Sequence, residues 1–197
     1  MADPGMTENF SEQVNKMRLL DFGCGKKRQP GAIGVDINPA SDADVLADLD
    51  RVPYPFAKDS FDMIWCNGII EHLTDVMGVM EELHRISRPG ALIVIITPYF
   101  TSLDAFTDPT HKHYFSFRSF DYFTGDFPEY GFYSSKARFI KRKVEISFWN
   151  VPRLGGIHPH HLVGAHWLAR RFTSVYERFF AYILPAQFIR FELEVVK

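Results

Sequence analysis

Along the first half of the chain, short apolar runs alternate with segments rich in Gly, Pro, Asn and Asp, and each run has the length of a buried strand. The first covers residues 17–22 and closes on Gly23-Cys24-Gly25. The second covers 31–36 and ends in Asp36, a shorter third covers 43–47 before Asp48, and a fourth covers 61–66. The period then changes. Leu73, Val76, Met77, Met80 and Leu83 recur at three- and four-residue steps, which predicts an amphipathic helix. Thr74 or Asp75 can cap its start, and Arg85, Arg88 and Pro89-Gly90 mark its end. Residues 91–96 are apolar on both faces, as suits the centre of a parallel sheet covered by helices.

Beyond Pro98 the pattern weakens. Residues 99–113 read as a loop, 117–123 as a short helix, and 138–148 as containing a strand. Residues 188–196 set Phe188, Arg190, Glu192 and Glu194 against Ile189, Phe191, Leu193 and Val195, a period of two. Between those last two strands, 162–183 reads as an amphipathic helix, part of a helical insertion over about 151–187. Strands alternating with helices and ending in two strands predict an α/β fold, an open and mostly parallel sheet with an antiparallel edge strand.

A chain of 197 residues fits one domain, 1–197. With 46% hydrophobic and 23% charged residues it can bury a core, which argues against disorder. The formal net charge of -2 gives no whole-surface attraction to nucleic acid, and Lys26-Lys27-Arg28 and Lys141-Arg142-Lys143 read as solvated clusters. Two cysteines, Cys24 and Cys66, are too few for a disulfide framework and suggest free thiols in a reducing, cytoplasmic setting. Residues 1–15 carry acids and no apolar run, unlike a signal peptide. No apolar run approaches the roughly 20 residues that span a bilayer.

In open α/β sheets, ligands bind beyond the carboxyl ends of the strands. The unusual residues of this chain fall there. Glycines in Asp21-Phe-Gly-Cys-Gly25 let the backbone approach a ligand closely. The Asp36 carboxylate can accept two hydrogen bonds from a ribose diol. Asp48 follows the third strand, and Asn67-Gly68 the fourth. These residues, with Gly34-Val-Asp-Ile-Asn38, Val52-Pro-Tyr-Pro-Phe56, Ser60-Phe-Asp-Met-Ile64, Asn67-Gly-Ile-Ile-Glu-His-Leu73 and Arg88-Pro-Gly-Ala-Leu92, resemble the class I S-adenosylmethionine-dependent methyltransferases of small-molecule type. The resemblance runs from Met17 to Pro98, with six motifs in the family's order.

The resemblance implies a Rossmann-like, doubly wound sheet of seven strands, with S-adenosyl-L-methionine as cofactor and a small-molecule acceptor. It places Asp21, Gly23, Cys24 and Gly25 under the methionine part. It gives Asp36 the ribose hydroxyls, sets Ile37 and Asn38 beside the nucleoside, and puts Asp48 and Leu49 at the adenine edge. Asn67 and Gly68 would pass close to the methionine carboxylate and sulfonium, and Glu71-His72 would open the next helix near the acceptor. One feature departs from the pattern: Lys26-Lys-Arg-Gln-Pro-Gly31 is a poor helix, so the first helix is expected to be shortened or absent. Arg28 also stands where a dinucleotide fingerprint wants its third glycine, which disfavours an oxidoreductase.

Acceptor-side candidates lie after the fifth strand. His111 and His113 are the candidate general bases, because imidazole titrates near neutrality. His72, Tyr99 and Tyr114 are candidate acceptor contacts. The alternative is that these side chains tie down a loop. His158, His160, His161 and His166 lack a nearby cysteine, and His161 and His166 are split across a helix, so no metal is expected. The stripe Trp167, Leu168, Phe172, Val175, Phe179, Phe180 and Ile183, with Arg170, Arg171 and Arg178, is read as packing on the sheet or on a second copy of the chain in a homodimer, ahead of a membrane surface or lipid-linked acceptor. The non-catalytic alternative is a cofactor-binding module that acts as a regulatory partner.

Overall fold

The computed structural model describes residues 17–125, 135–148 and 164–197. Seven strands form one sheet: β1 (Leu19–Phe22), β2 (Ile33–Asp36), β3 (Val45–Leu46), β4 (Phe61–Asn67), β5 (Ser87–Pro98), β6 (Arg138–Ser147) and β7 (Phe188–Val196). Their order is β3-β2-β1-β4-β5-β7-β6. The first five pair in parallel. The one reversed strand, β7, runs antiparallel to both β5 and β6, so the antiparallel pairing sits at that side of the sheet. The sequence order reverses on either side of β1, the kind of switch point at which open α/β sheets bind ligands.

The central strands are apolar because both faces are covered. Leu20, Phe22, Ile64, Ile93, Val94 and Ile95 are fully buried. The helix α1 (Val76–Ile86) lays Val79, Met80, Leu83 and Ile86 into this core. Asp75 is its N-cap and accepts the Gly78 N–H at 3.0 Å; Thr74 instead donates its N–H to Asp50. The helix stops at Ile86, and β5 begins with Ser87, earlier than the apolar run from Ala91 suggests. Gly90, at a φ of 76°, sits inside that extended stretch.

No helix lies between β1 and β2. Residues 23–32 form a succession of turns, as Pro30 and Gly31 foretold. Asp21 accepts the Gln29 N–H at 2.7 Å, Arg28 pairs with Asp44, and the Asp42 N–H donates to the Gly25 carbonyl at 2.7 Å. Residues 99–113 are not wholly a loop: Ser102 caps a short helix, α2 (Leu103–Thr107). The expected helix over 117–123 shrinks to a 3-10 turn, Asp121–Phe123.

The amphipathic stretch before β7 is not one helix. The helix α3 (Ala165–Arg171) breaks at Phe172, and a helical turn, Thr173–Val175, then runs into a π-turn, Tyr176–Phe180. Its buried side is made of Ala165, Ala169, Tyr176 and Ala181. Trp167, Phe172, Val175, Phe179, Phe180 and Ile183 stand exposed on the single chain, which corrects their expected packing on the sheet. His158, His160 and His161 lie outside the described residues, as does the amino-terminal segment. No helix among the described residues is long and apolar enough to cross a membrane.

Candidate functional site

The turn after β1 is tied to the end of β2. Gly23 and Cys24 both donate their N–H to the Val35 carbonyl, at 2.9 and 3.2 Å. The Gly25 N–H donates to Asp36 Oδ2 at 2.9 Å, and the Asn38 N–H to Oδ1 at 2.8 Å. Each carboxylate oxygen keeps a second lone pair, so the pair can still accept from a diol. Gly23 and Gly25 have φ of 75° and 54°, the left-handed region open to glycine. They differ in surroundings: a Cβ on Gly23 would stand 2.6 Å from Ile69, whereas a Cβ on Gly25 would meet nothing within 4 Å.

Asp21 closes the floor. It is buried, and burial pushes its carboxyl above the usual range, against the Gln29 N–H and Arg28. Cys24 is also buried and packs against Gly34, where a Cβ would lie 2.9 Å from its Sγ. Cys24 and Cys66 are both free thiols. Ile37 is 63% exposed beside Asp36, an unpartnered apolar side chain at a strand end. The Asn38 side chain accepts the Ala40 N–H and shapes the following turn.

Asp48 accepts the Asp50 N–H and pairs with Arg51 at 3.0 Å. Leu49 is buried, and its carbonyl accepts the Tyr54 hydroxyl at 2.9 Å. This segment is held to α1 by Glu82, which takes the Tyr54 N–H at 2.7 Å and Arg85 at 2.6 Å. On the neighbouring strand, Asn67 is exposed at the end of β4, and Gly68 follows with φ 67°, its N–H on the Ile96 carbonyl. A glycine turn, a strand-end diol acceptor, open space at Gly25 and an uncovered Ile37 fit an adenosyl amino acid.

Residues 108–113, which hold the candidate acceptor-side histidines, dock onto the turn after β4. Contrary to expectation, Glu71-His72 does not open the following helix but lies in a separate 3-10 turn, Ile70–His72. The Glu71 carbonyl accepts the N–H groups of Lys112 and His113. Lys112 reaches Thr74 Oγ1 and Asp50 Oδ2, at 2.7 and 3.1 Å. His113 directs its Nε2 to the Thr74 carbonyl at 3.2 Å, so its ring is spent on holding the loop. His111 instead lines a cavity of about 480 Å³ together with Pro98, Asp104, Thr107, Asp108 and Pro109.

His72 and His111 face one another with ring centroids 4.6 Å apart. Beside them Glu71 is only 2% exposed, and neither its Oε2 nor the Thr97 hydroxyl makes a hydrogen bond of normal geometry. Burial pushes the Glu71 carboxyl up, while the nearby Thr97 hydroxyl, His72 and His111 act the other way. Tyr114 is half exposed at the rim and stacks on Phe106 at 4.7 Å. Tyr99 does not meet the expectation of an acceptor contact. It is fully buried, and its hydroxyl donates to Glu177 at 3.0 Å, which makes it a core residue behind the wall.

Sequence reasoning missed Thr110, which bonds His72 and Asp108, and the burial of Glu71. A carboxylate next to histidine on a strand-end turn was the available signal, but its partner His111 lies beyond β5.

Residues 3–137 match the methyltransferase domain family. The chain is 28% identical over 116 residues to the chloroplastic tocopherol O-methyltransferase of Arabidopsis thaliana, covering 47% of this chain and 33% of that one. It is 28% identical over 102 residues to the malonyl-[acyl-carrier protein] O-methyltransferase of Enterobacter lignolyticus (strain SCF1), covering 41% and 38%. The chain thus spans less than half the length of these relatives. In fold it is similar to a SAM-dependent methyltransferase from Archaeoglobus fulgidus, with a TM-score of 0.56, 16% identity, and coverage of 96% and 91%. By its matched residues, strand order and glycine turn, this chain belongs to the class I S-adenosylmethionine-dependent methyltransferase family.

Proposed function

We propose that this chain transfers a methyl group from S-adenosylmethionine to a small-molecule acceptor that enters through the cavity beside His111. The observation that carries the reading is the Gly25–Asp36 hydrogen bond at 2.9 Å, which fixes a diol-accepting carboxylate against a glycine turn with open space beside it. The cofactor supplies an already activated methyl on a sulfonium. The protein's task is to bind, to orient and to exclude water. Asp36 accepts the ribose hydroxyls, Ile37 and Leu49 pack the purine, and Asp48 and Asn38 shape its edge. Asp21, Gly23, Cys24 and Gly25 floor the amino-acid part, and Asn67 and Gly68 approach it through backbone groups.

On the acceptor side, the Ala105 carbonyl accepts from His111 Nδ1 at 3.0 Å. That bond places the ring hydrogen on Nδ1 and leaves the Nε2 lone pair free to meet the proton of an acceptor hydroxyl. His113 supports the loop, and His72 and Tyr114 border the entrance. Holding a nucleophile in line can supply several kcal/mol, about 7–11 in favourable intramolecular models.

The test is calorimetric. S-adenosylhomocysteine is expected to bind at micromolar affinity or better, and Asp36→Ala to weaken it tenfold or more, about 1.4 kcal/mol. Equal binding by parent and variant would overturn the placement of the ribose. Turnover followed by S-adenosylhomocysteine release over a panel of hydroxyl and amine acceptors is expected to fall about a hundredfold in His111→Ala. The fall in His113→Ala is expected to be smaller. Cofactor affinity should stay unchanged in both.

A further inference from the structure

One oxygen of Glu71 and one ring nitrogen each of His72 and His111 lie within 4.8 Å of one another. Their elements explain why. The end of β4 turns outward through residues 70–72, and the chain leaving β5 folds back over that turn through α2. The hydrogen bonds around the rings decide which nitrogens carry protons. Thr110 has a single hydroxyl hydrogen, which it donates to the Asp108 carboxylate at 2.6 Å. It therefore accepts from His72 Nδ1, at 2.8 Å. His111 Nδ1 faces the Ala105 carbonyl, which can only accept. Both rings thus hold hydrogen on Nδ1, which leaves Nε2 as the nitrogen available to a metal ion. This outer bonding is how metal-ligating histidines are oriented.

The third member supplies charge. Glu71 is only 2% exposed, and its Oε2 makes no hydrogen bond of normal geometry, with the Thr97 hydroxyl nearby. A buried carboxyl oxygen without a well-formed hydrogen bond, set beside two imidazoles, is a donor set that a cation can complete. From this geometry we infer that Glu71, His72 and His111 bind a divalent first-row transition-metal ion. Two imidazoles and a carboxylate suit zinc, manganese or iron over calcium and magnesium. Ligands around zinc at about 2.1 Å stand about 3.4 Å apart, so the cluster closes on an ion with ring movements of roughly an ångström. Three protein ligands leave a coordination position open, and His111 also lines the 480 Å³ cavity.

The ion would hold an oxygen of the acceptor there, which narrows the acceptor to a hydroxyl compound. This role rests on the methyl-transfer reading; the ion site itself does not. With the ion in place, His111 acts as a ligand, and lowering the hydroxyl's pKa falls to the ion.

Protein stripped with a chelator and titrated calorimetrically with zinc chloride is expected to bind one ion per chain at micromolar affinity or tighter. Cobalt chloride should give visible absorption bands of a low-coordinate site. His72→Asn, His111→Asn and Glu71→Gln should each weaken zinc binding tenfold or more, with circular dichroism and S-adenosylhomocysteine affinity unchanged. Absent saturable binding, or zinc binding retained in a His72→Asn/His111→Asn double variant, would overturn the site. A parallel titration separates the two readings. Zinc bound without S-adenosylhomocysteine upholds the ion site and removes the methyl-transfer reading. S-adenosylhomocysteine bound without zinc does the reverse.

Discussion

Gly23 and Gly25 show how two glycines of one motif carry different constraints. Gly25 has free space around its missing side chain, but Gly23 has Ile69 pressed against it. Gly23→Ala would combine a left-handed backbone with a contact under 3 Å, and is expected to cost about 2–4 kcal/mol, from strain and overpacking together. The urea midpoint measures it, and Gly25→Ala should lose less stability while losing cofactor affinity. The motif was legible in the sequence because glycine is spelled out there. The difference between its two glycines was not, since Ile69 arrives from the end of another strand. The same holds for Tyr99: its aromatic character was plain, but whether the ring faced a ligand or the core depended on Glu177, far along the chain.

At the level of elements, periodicity was informative where a face is packed. The helix α1 emerged from its three- and four-residue spacing, and the choice between Thr74 and Asp75 as cap was settled by Asp50 claiming the Thr74 N–H. Asp75→Ala is expected to destabilise the protein by about 1 kcal/mol, read from denaturant unfolding. Thr74→Ala should act through the Lys112–Asp50 node instead and loosen the loop that carries His111. The segment ending in the π-turn misled because its spacing is helical while most of its buried positions are small. Alanines at 165, 169 and 181 face inward beside the ring of Tyr176, while Trp167, Phe172, Phe179 and Phe180 face out, which hydrophobicity alone does not suggest.

For the whole molecule, charge ties the periphery of the crevice to the core. Burial would raise the pKa of Glu82, but Arg85 and the Tyr54 N–H outweigh it and hold the carboxyl below its ordinary 4.5. A depressed folded value means that this stabilisation is complete above about pH 4.5 and is lost as the pH falls through the folded value. Glu82→Gln should cost about 1–3 kcal/mol at neutral pH and flatten the decline in urea midpoint between neutral and acid conditions. The seven strands were legible from run lengths, and the family from motifs at strand ends. The cluster of Glu71, His72 and His111 was not, because these residues meet only after a full crossover of the chain.

The ten residues that run from β1 to β2 without a helix carry one more implication. Among the described residues, hydrogen-bonded turns and the Arg28–Asp44 ion pair stand in place of a rigid helix on the side where the amino-acid part of the cofactor is proposed to lie. On that placement, the spent cofactor would pass these turns without any regular helix among the described residues of this segment having to melt. Its escape, followed by stopped-flow, should be one rapid exponential phase that quickens with salt.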